Sequence, residues 1–65
     1  MQQADYEVSG GGTVFILTPL NAGAKANLEE NLAEDAMWFG SGVAVEHRYI
    51  MPLVENLRAE GYVVR

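Results

Sequence analysis

The sequence predicts a single small α+β domain over residues 1–65: a ferredoxin-like (split βαβ) antiparallel sheet with an extra N-terminal strand and two helices on one face. The first observation is the order of apolar patterns along the chain, which is β-β-α-β-β-α-β. The second is that 65 residues, 49% of them hydrophobic, suit one globular domain. The third is the absence of cysteine, which excludes disulfides and a Cys-based zinc site.

The first two strands differ in their apolar pattern. Ala4–Val8 alternates with period two, which is typical of a strand with one buried face. Ser9–Gly12 then predicts a break, because its glycines favour a reversal. Thr13–Thr18 is β-branched, aromatic and apolar on both faces, which indicates a central strand that ends at Pro19.

The middle of the chain predicts a helix followed by a hairpin. Asn21 is a suitable N-cap for a helix that runs to about Glu34. Its apolar stripe consists of Ala24, Leu28, Leu32 and Ala36. Two short strands follow, Ala36–Phe39 and Gly42–Glu46, joined by a glycine-containing turn.

The last part of the chain predicts a second helix and a final strand. The helix is expected to begin near Arg48 or Tyr49 and to hold Pro52 in its first turn. Its buried stripe is Ile50, Leu53, Val54 and Leu57. Gly61 is a C′ residue that stops the helix, and Tyr62–Val64 is the last strand.

The second strand raises the question of what covers the open face of the sheet. Two helices on one face leave either Phe15 and Leu17 or Val14 and Ile16 on the other. We take Phe15 and Leu17 as the candidate interface of the sheet, joined there by Trp38 or its neighbours. Self-association, or a partner bound through this face, is the expected consequence.

Charge excludes several classes of partner. Nine acidic against four basic residues give a net charge of -5, and the bases form no stripe. Direct nucleic-acid binding and docking on an anionic membrane are therefore disfavoured. The N-terminal residues lack the pattern of a signal peptide, and no apolar run has the length of a membrane span. We expect a cytoplasmic protein.

Acidic residues are concentrated in and after the first helix. The cluster comprises Glu29, Glu30, Glu34 and Asp35. Glu30 and Glu34 repel each other at i,i+4 spacing, and acids late in a helix oppose its macrodipole, so selection for helix stability alone does not explain them. They form either a solvated face or a contact with a basic partner surface, for which Trp38, Arg48 or Tyr49 would supply a buried anchor.

Two short stretches of the chain are specific, Trp38-Phe39-Gly40 and Glu46-His47-Arg48-Tyr49. Together with the residues around them, from about Val14 to Val64, they resemble a group of short proteins of unknown function from bacteriophages and bacterial mobile or accessory gene regions. The resemblance implies a compact α+β fold and a phage or mobile-element origin, hence the cytoplasm of the host cell. By analogy with small acidic phage proteins, it implies an inhibitor of host defence, of which anti-CRISPR proteins are one kind.

The leading hypothesis is a non-enzymatic acidic module that occludes a basic, nucleic-acid-binding surface of a host defence protein. No catalytic residue, metal ligand set or cofactor is predicted. One alternative is a structural or regulatory homo-oligomer, and another is a small enzyme with His47 as a general base beside Glu46 and Arg48. RNA stacking on Phe15 and Trp38 is disfavoured because no basic residue flanks either aromatic.

Overall fold

A computed structural model describes residues 3–31 and 36–65 of the chain. Within that part, a four-stranded antiparallel sheet packs against two helices, which confirms the α+β class. The elements are β1 Tyr6–Gly11, β2 Val14–Pro19, α1 Ala22–Asn31, β3 Trp38–Phe39, β4 Gly42–Glu46 and α2 His47–Ala59. The predicted continuation of α1 from Leu32 to Glu34 lies outside the described residues, as does Asp35 after it.

The sheet order is β1-β2-β4-β3, and the ferredoxin-like order with five strands is not confirmed. The predicted reversal at Ser9–Gly12 begins later than expected, because β1 runs on to Gly11 and pairs with β2 over six residues. The chain turns at Gly12, whose φ is 71°, and Thr13. β1 therefore pairs with the edge of β2 that is not paired with β4. The C-terminal segment lies instead at the outer edge of β1.

That C-terminal segment was predicted as a strand, and it forms a single parallel bridge between Tyr6 and Val64. Four backbone hydrogen bonds hold it to residues 5–8: the N–H groups of Asp5 and Tyr6 donate to Val63, that of Val8 to Arg65, and that of Arg65 to Tyr6. It therefore extends the hydrogen bonding of β1 without adding a fifth strand.

Both helices cover one face of the sheet, as predicted. The buried core combines three faces: Tyr6, Leu17, Val43 and Val45 of the sheet, Ala24 and Leu28 of α1, and Ile50, Val54 and Leu57 of α2, with Val64 of the C-terminal segment. Leu17 pairs with Val43 and Phe15 with Val45, so these four side chains point to the same, helix-covered face.

The predicted assignment of Phe15 and Leu17 to the open face is therefore corrected. Leu17 is 0% exposed and Phe15 packs against the core. The open face carries Val14 and Ile16 instead, since successive residues of a strand alternate between faces.

The helix boundaries follow local sequence signals. The N–H of Ala24 donates to Oδ1 of Asn21 at 2.7 Å, which confirms the predicted N-cap of α1. Helix α2 begins at His47, earlier than predicted, so Pro52 lies in its second turn. The helix ends at Ala59 with Glu60 as the C-cap, and the φ of 97° and the N–H bond to Arg58 of the following Gly61 are those of a C′ glycine.

Candidate functional site

The acidic part of α1 and the β3 edge of the sheet meet at one corner of the molecule. An open pocket of about 290 Å³ is lined there by Lys25, Glu29, Trp38, Gly40 and Ser41. We call this set the acidic corner after Glu29, which leads to the exposed Glu30 beside it on α1, although Lys25 in the same lining carries a positive charge. Helix α1 supplies its charged side chains, and the β3–β4 hairpin supplies the indole and the turn.

The structure places Trp38 on the helix-covered side of the sheet. Trp38 pairs with Val43, whose side chain is in the core, whereas Phe39 pairs with Gly42 and faces the other way. The indole is nevertheless 37% exposed, because β3 is the edge strand and α1 covers it only in part. An aromatic group with one buried side and one free side suits a protein contact.

Glu29 and Glu30 are both exposed on α1. Glu29 lines the pocket together with Trp38, so an acidic and an aromatic residue of the predicted partner-binding set are brought together. Glu34 and Asp35 lie outside the described residues.

Arg48 and Tyr49 are separated from the acidic corner. They lie in the first turn of α2, just after the last residue of β4, whereas Trp38 pairs near the first residue of that strand. The Arg48 guanidinium lies 3.4 Å from Oε2 of Glu46, measured from Nε, and 4.9 Å above the Tyr49 ring centroid. Both side chains are exposed, so this is a second, smaller surface group.

Glu46 and His47, which the catalytic alternative groups together, contact different parts of the molecule. Glu46 pairs with Arg48, while His47 lines a different cavity beside Phe15 and Arg58. In the described ranges, no three His, Cys, Asp or Glu side chains are grouped closely enough to hold a metal ion. Neither described helix combines the length and apolar character that a membrane crossing requires.

Asp5 and Tyr6 have displaced pKa values, and both belong to a structural junction. Hydrogen bonds from the Val63 N–H and the Asn21 amide lower the pKa of the Asp5 carboxyl. Burial raises the pKa of Tyr6, whose hydroxyl donates to the Ala24 carbonyl at 2.7 Å and accepts from Asn27 at 3.1 Å. These contacts join the start of β1 to α1 and to the C-terminal segment.

Sequence reasoning missed Lys25 and Ser41 as members of the acidic corner. Lys25 lies four residues before Glu29, so helical spacing was the available signal. Ser41 is brought there by the β3–β4 turn, which places it beside α1 through tertiary structure only. Comparisons of the chain with protein-family models, with curated proteins and with solved structures give no match.

Proposed function

We propose that this protein is a non-enzymatic interaction module that binds a basic surface of another protein through the acidic corner and the neighbouring Glu30. The observation that carries the proposal is that Glu29 and the exposed indole of Trp38 line one open pocket. The acids supply electrostatic complementarity, and the indole supplies the apolar contact typical of an interface hot spot.

The net charge of -5 also favours a basic partner. A basic partner is attracted over a Debye length of about 8 Å at physiological ionic strength, whereas a polyanion is repelled. If the partner surface normally binds nucleic acid, the bound module competes with that ligand. The resemblance to phage proteins makes a host defence protein the proposed target.

The experiment is capture of host proteins on the immobilised chain, with paired charge variants. Glu29→Lys with Glu30→Lys should abolish capture of the specific partner, and so should high salt. Glu55→Lys is the matched control, because Glu55 is an exposed acid on α2 away from the corner. Retained capture by the α1 double variant would refute the acidic contact, and unchanged nucleic-acid binding by the captured protein would refute occlusion.

A second candidate function is a homo-oligomer that pairs through the open face of the sheet. Large apolar side chains are exposed at Val14 (42%), Met37 (63%) and Phe39 (56%). Val14 and Phe39 lie on the open face, at opposite ends of it. A symmetric dimer covers such a patch with its own copy. Sedimentation equilibrium at tens of micromolar separates the candidates: a dimer that Phe39→Lys dissociates favours the oligomer, and a monomer excludes it.

A further inference from the structure

A second open cavity, of about 470 Å³, lies between α2, the β1–β2 hairpin and the C-terminal segment. We call it the α2 groove. Its floor is apolar, since Ile50, Val54 and Val64 are core residues, and Phe15 and Val8 are half-buried beside them. Phe15 lies towards the Gly12 end of β2, whereas the acidic corner lies beside the Gly40 turn at the other end of the sheet.

Basic side chains are concentrated around this groove. Arg58, Arg65 and His47 line it: two of the chain's four Lys and Arg residues and its single histidine. Among the described residues, none of those lining the groove is acidic. The lining of the groove is therefore basic, whereas the chain as a whole is acidic, with a net charge of -5.

The two arginines are held at the rim by contacts that leave donors free. Nη2 of Arg58 donates to the Val64 carbonyl at 3.2 Å. Nε and Nη2 of Arg65 donate to Oε2 of Glu7 at 3.3 and 3.1 Å, an exposed contact that offsets part of the Arg65 charge. A guanidinium carries five N–H donors, so each retains groups that can bind a carboxylate. The groove thus has an apolar floor with cationic groups at its edge.

We propose that the α2 groove binds a small amphipathic anion, a medium-chain carboxylate whose apolar tail lies on Ile50 and Val54 and whose carboxylate contacts Arg58 and Arg65. The volume lies within the range of small-molecule sites, about 300–1,000 Å³, which is why the proposed occupant is a small molecule and not a polypeptide. This inference is independent of the acidic corner and of any protein partner.

The test is titration of the full chain with sodium decanoate below its micelle concentration, followed by calorimetry and by amide chemical shifts. We expect one saturable site, with shifts concentrated on α2 and the β1–β2 hairpin. Decanol has the same chain without the charge and should bind at least about tenfold more weakly, as expected for the loss of a charge-assisted hydrogen bond. Equal binding of decanol, or saturation by an acidic peptide but not by decanoate, overturns the proposal.

Variants locate the site and separate binding from folding. Arg58→Gln and Arg65→Gln should each weaken decanoate binding, whereas Arg48→Gln is the control, because Arg48 pairs with Glu46 outside the groove. Since Arg58 also holds the C-terminal segment, Met51 provides a second test. Met51 is an exposed rim residue, so Met51→Glu should weaken binding by repulsion while Met51→Gln does not, and both should fold. Unchanged affinity in Arg65→Gln and Met51→Glu refutes the assignment.

Discussion

The Tyr6 hydroxyl links β1 to α1, and its removal tests how much this link contributes to stability. Tyr6 is 0% exposed, and its hydroxyl makes hydrogen bonds of 2.7 Å to the Ala24 carbonyl and 3.1 Å from the Asn27 amide. In Tyr6→Phe the ring remains, and with it the edge-on contact to Tyr62, whose centroid lies 5.5 Å away. The substitution therefore isolates the hydroxyl.

The expected magnitude comes from the two hydrogen bonds. Each contributes about 0.5–1.5 kcal/mol net, and the half-exposed Asn27 amide can turn to water, so the loss should be about 1–2 kcal/mol. A domain of 65 residues has roughly 3–10 kcal/mol of stability at typical values per residue. Each kcal/mol lowers the Tm of so small a domain by about 4–8 °C.

Urea unfolding followed by circular dichroism measures this change. Tyr62→Phe is the matched control, because Tyr62 is half-buried and its hydroxyl makes no hydrogen bond to another described residue. It should shift the unfolding free energy by less than about 0.5 kcal/mol. Equal effects of the two substitutions would refute the view that the Tyr6 hydroxyl joins sheet and helix.

Three further predictions concern steric and ionic features. Gly42→Ala should lower the free energy of unfolding in urea by about 1–3 kcal/mol, because a Cβ at this position would lie 2.5 Å from the Ile16 side chain. Gly11→Ala is the control: its Cβ would meet nothing within 4 Å, so the free energy of unfolding should change little. The pKa of Asp5 is lower in the folded than in the unfolded protein. The ionised carboxylate therefore stabilises the fold above its unfolded pKa of about 3.9, and this stabilisation is lost as the pH falls through the folded pKa. Asp5→Asn should remove that part of the acid dependence in a pH series of Tm, and an unchanged profile contradicts it. Tyr6 has a raised pKa, so stability should fall above pH of about 10, and Tyr6→Phe should flatten that fall.

Features set by local chemistry could be predicted from the sequence. The cap at Asn21, the stop at Gly61 and the strand Gly42–Glu46 each depend on neighbouring residues, and the structure has them as predicted. The start of α2 differs from the prediction, because that prediction rests on Pro52 lying in the first turn of the helix. A proline deeper in the helix removes one backbone bond, and burial of the apolar stripe offsets that loss.

Features set by non-local pairing could not be predicted. Two segments compete for the edge of β2 that β4 leaves free. One is β1, which a tight two-residue turn joins to β2, and the other is the C-terminal segment, which must return from the end of the chain. Closing a short loop costs less conformational entropy than closing a long one, so β1 takes that edge. The same non-local pairing creates the α2 groove, whose arginines are remote from Phe15 in sequence.

The side of the sheet that β2 buries depends on its partner β4. Because β2 is apolar on both faces, its own pattern allows either orientation. β4 alternates between large Val43 and Val45 on one side and Gly42 and Ala44 on the other, so only one side of β4 can fill a core. The antiparallel register then sets Leu17 against Val43 and commits it to the core.

The small residues of β4 leave the middle of the open face shallow, so association through that face should depend on Phe39 at its edge. Phe39→Ser should therefore weaken any dimer seen by sedimentation more than Val14→Ser does, and the opposite order would show that the contact is centred on β2.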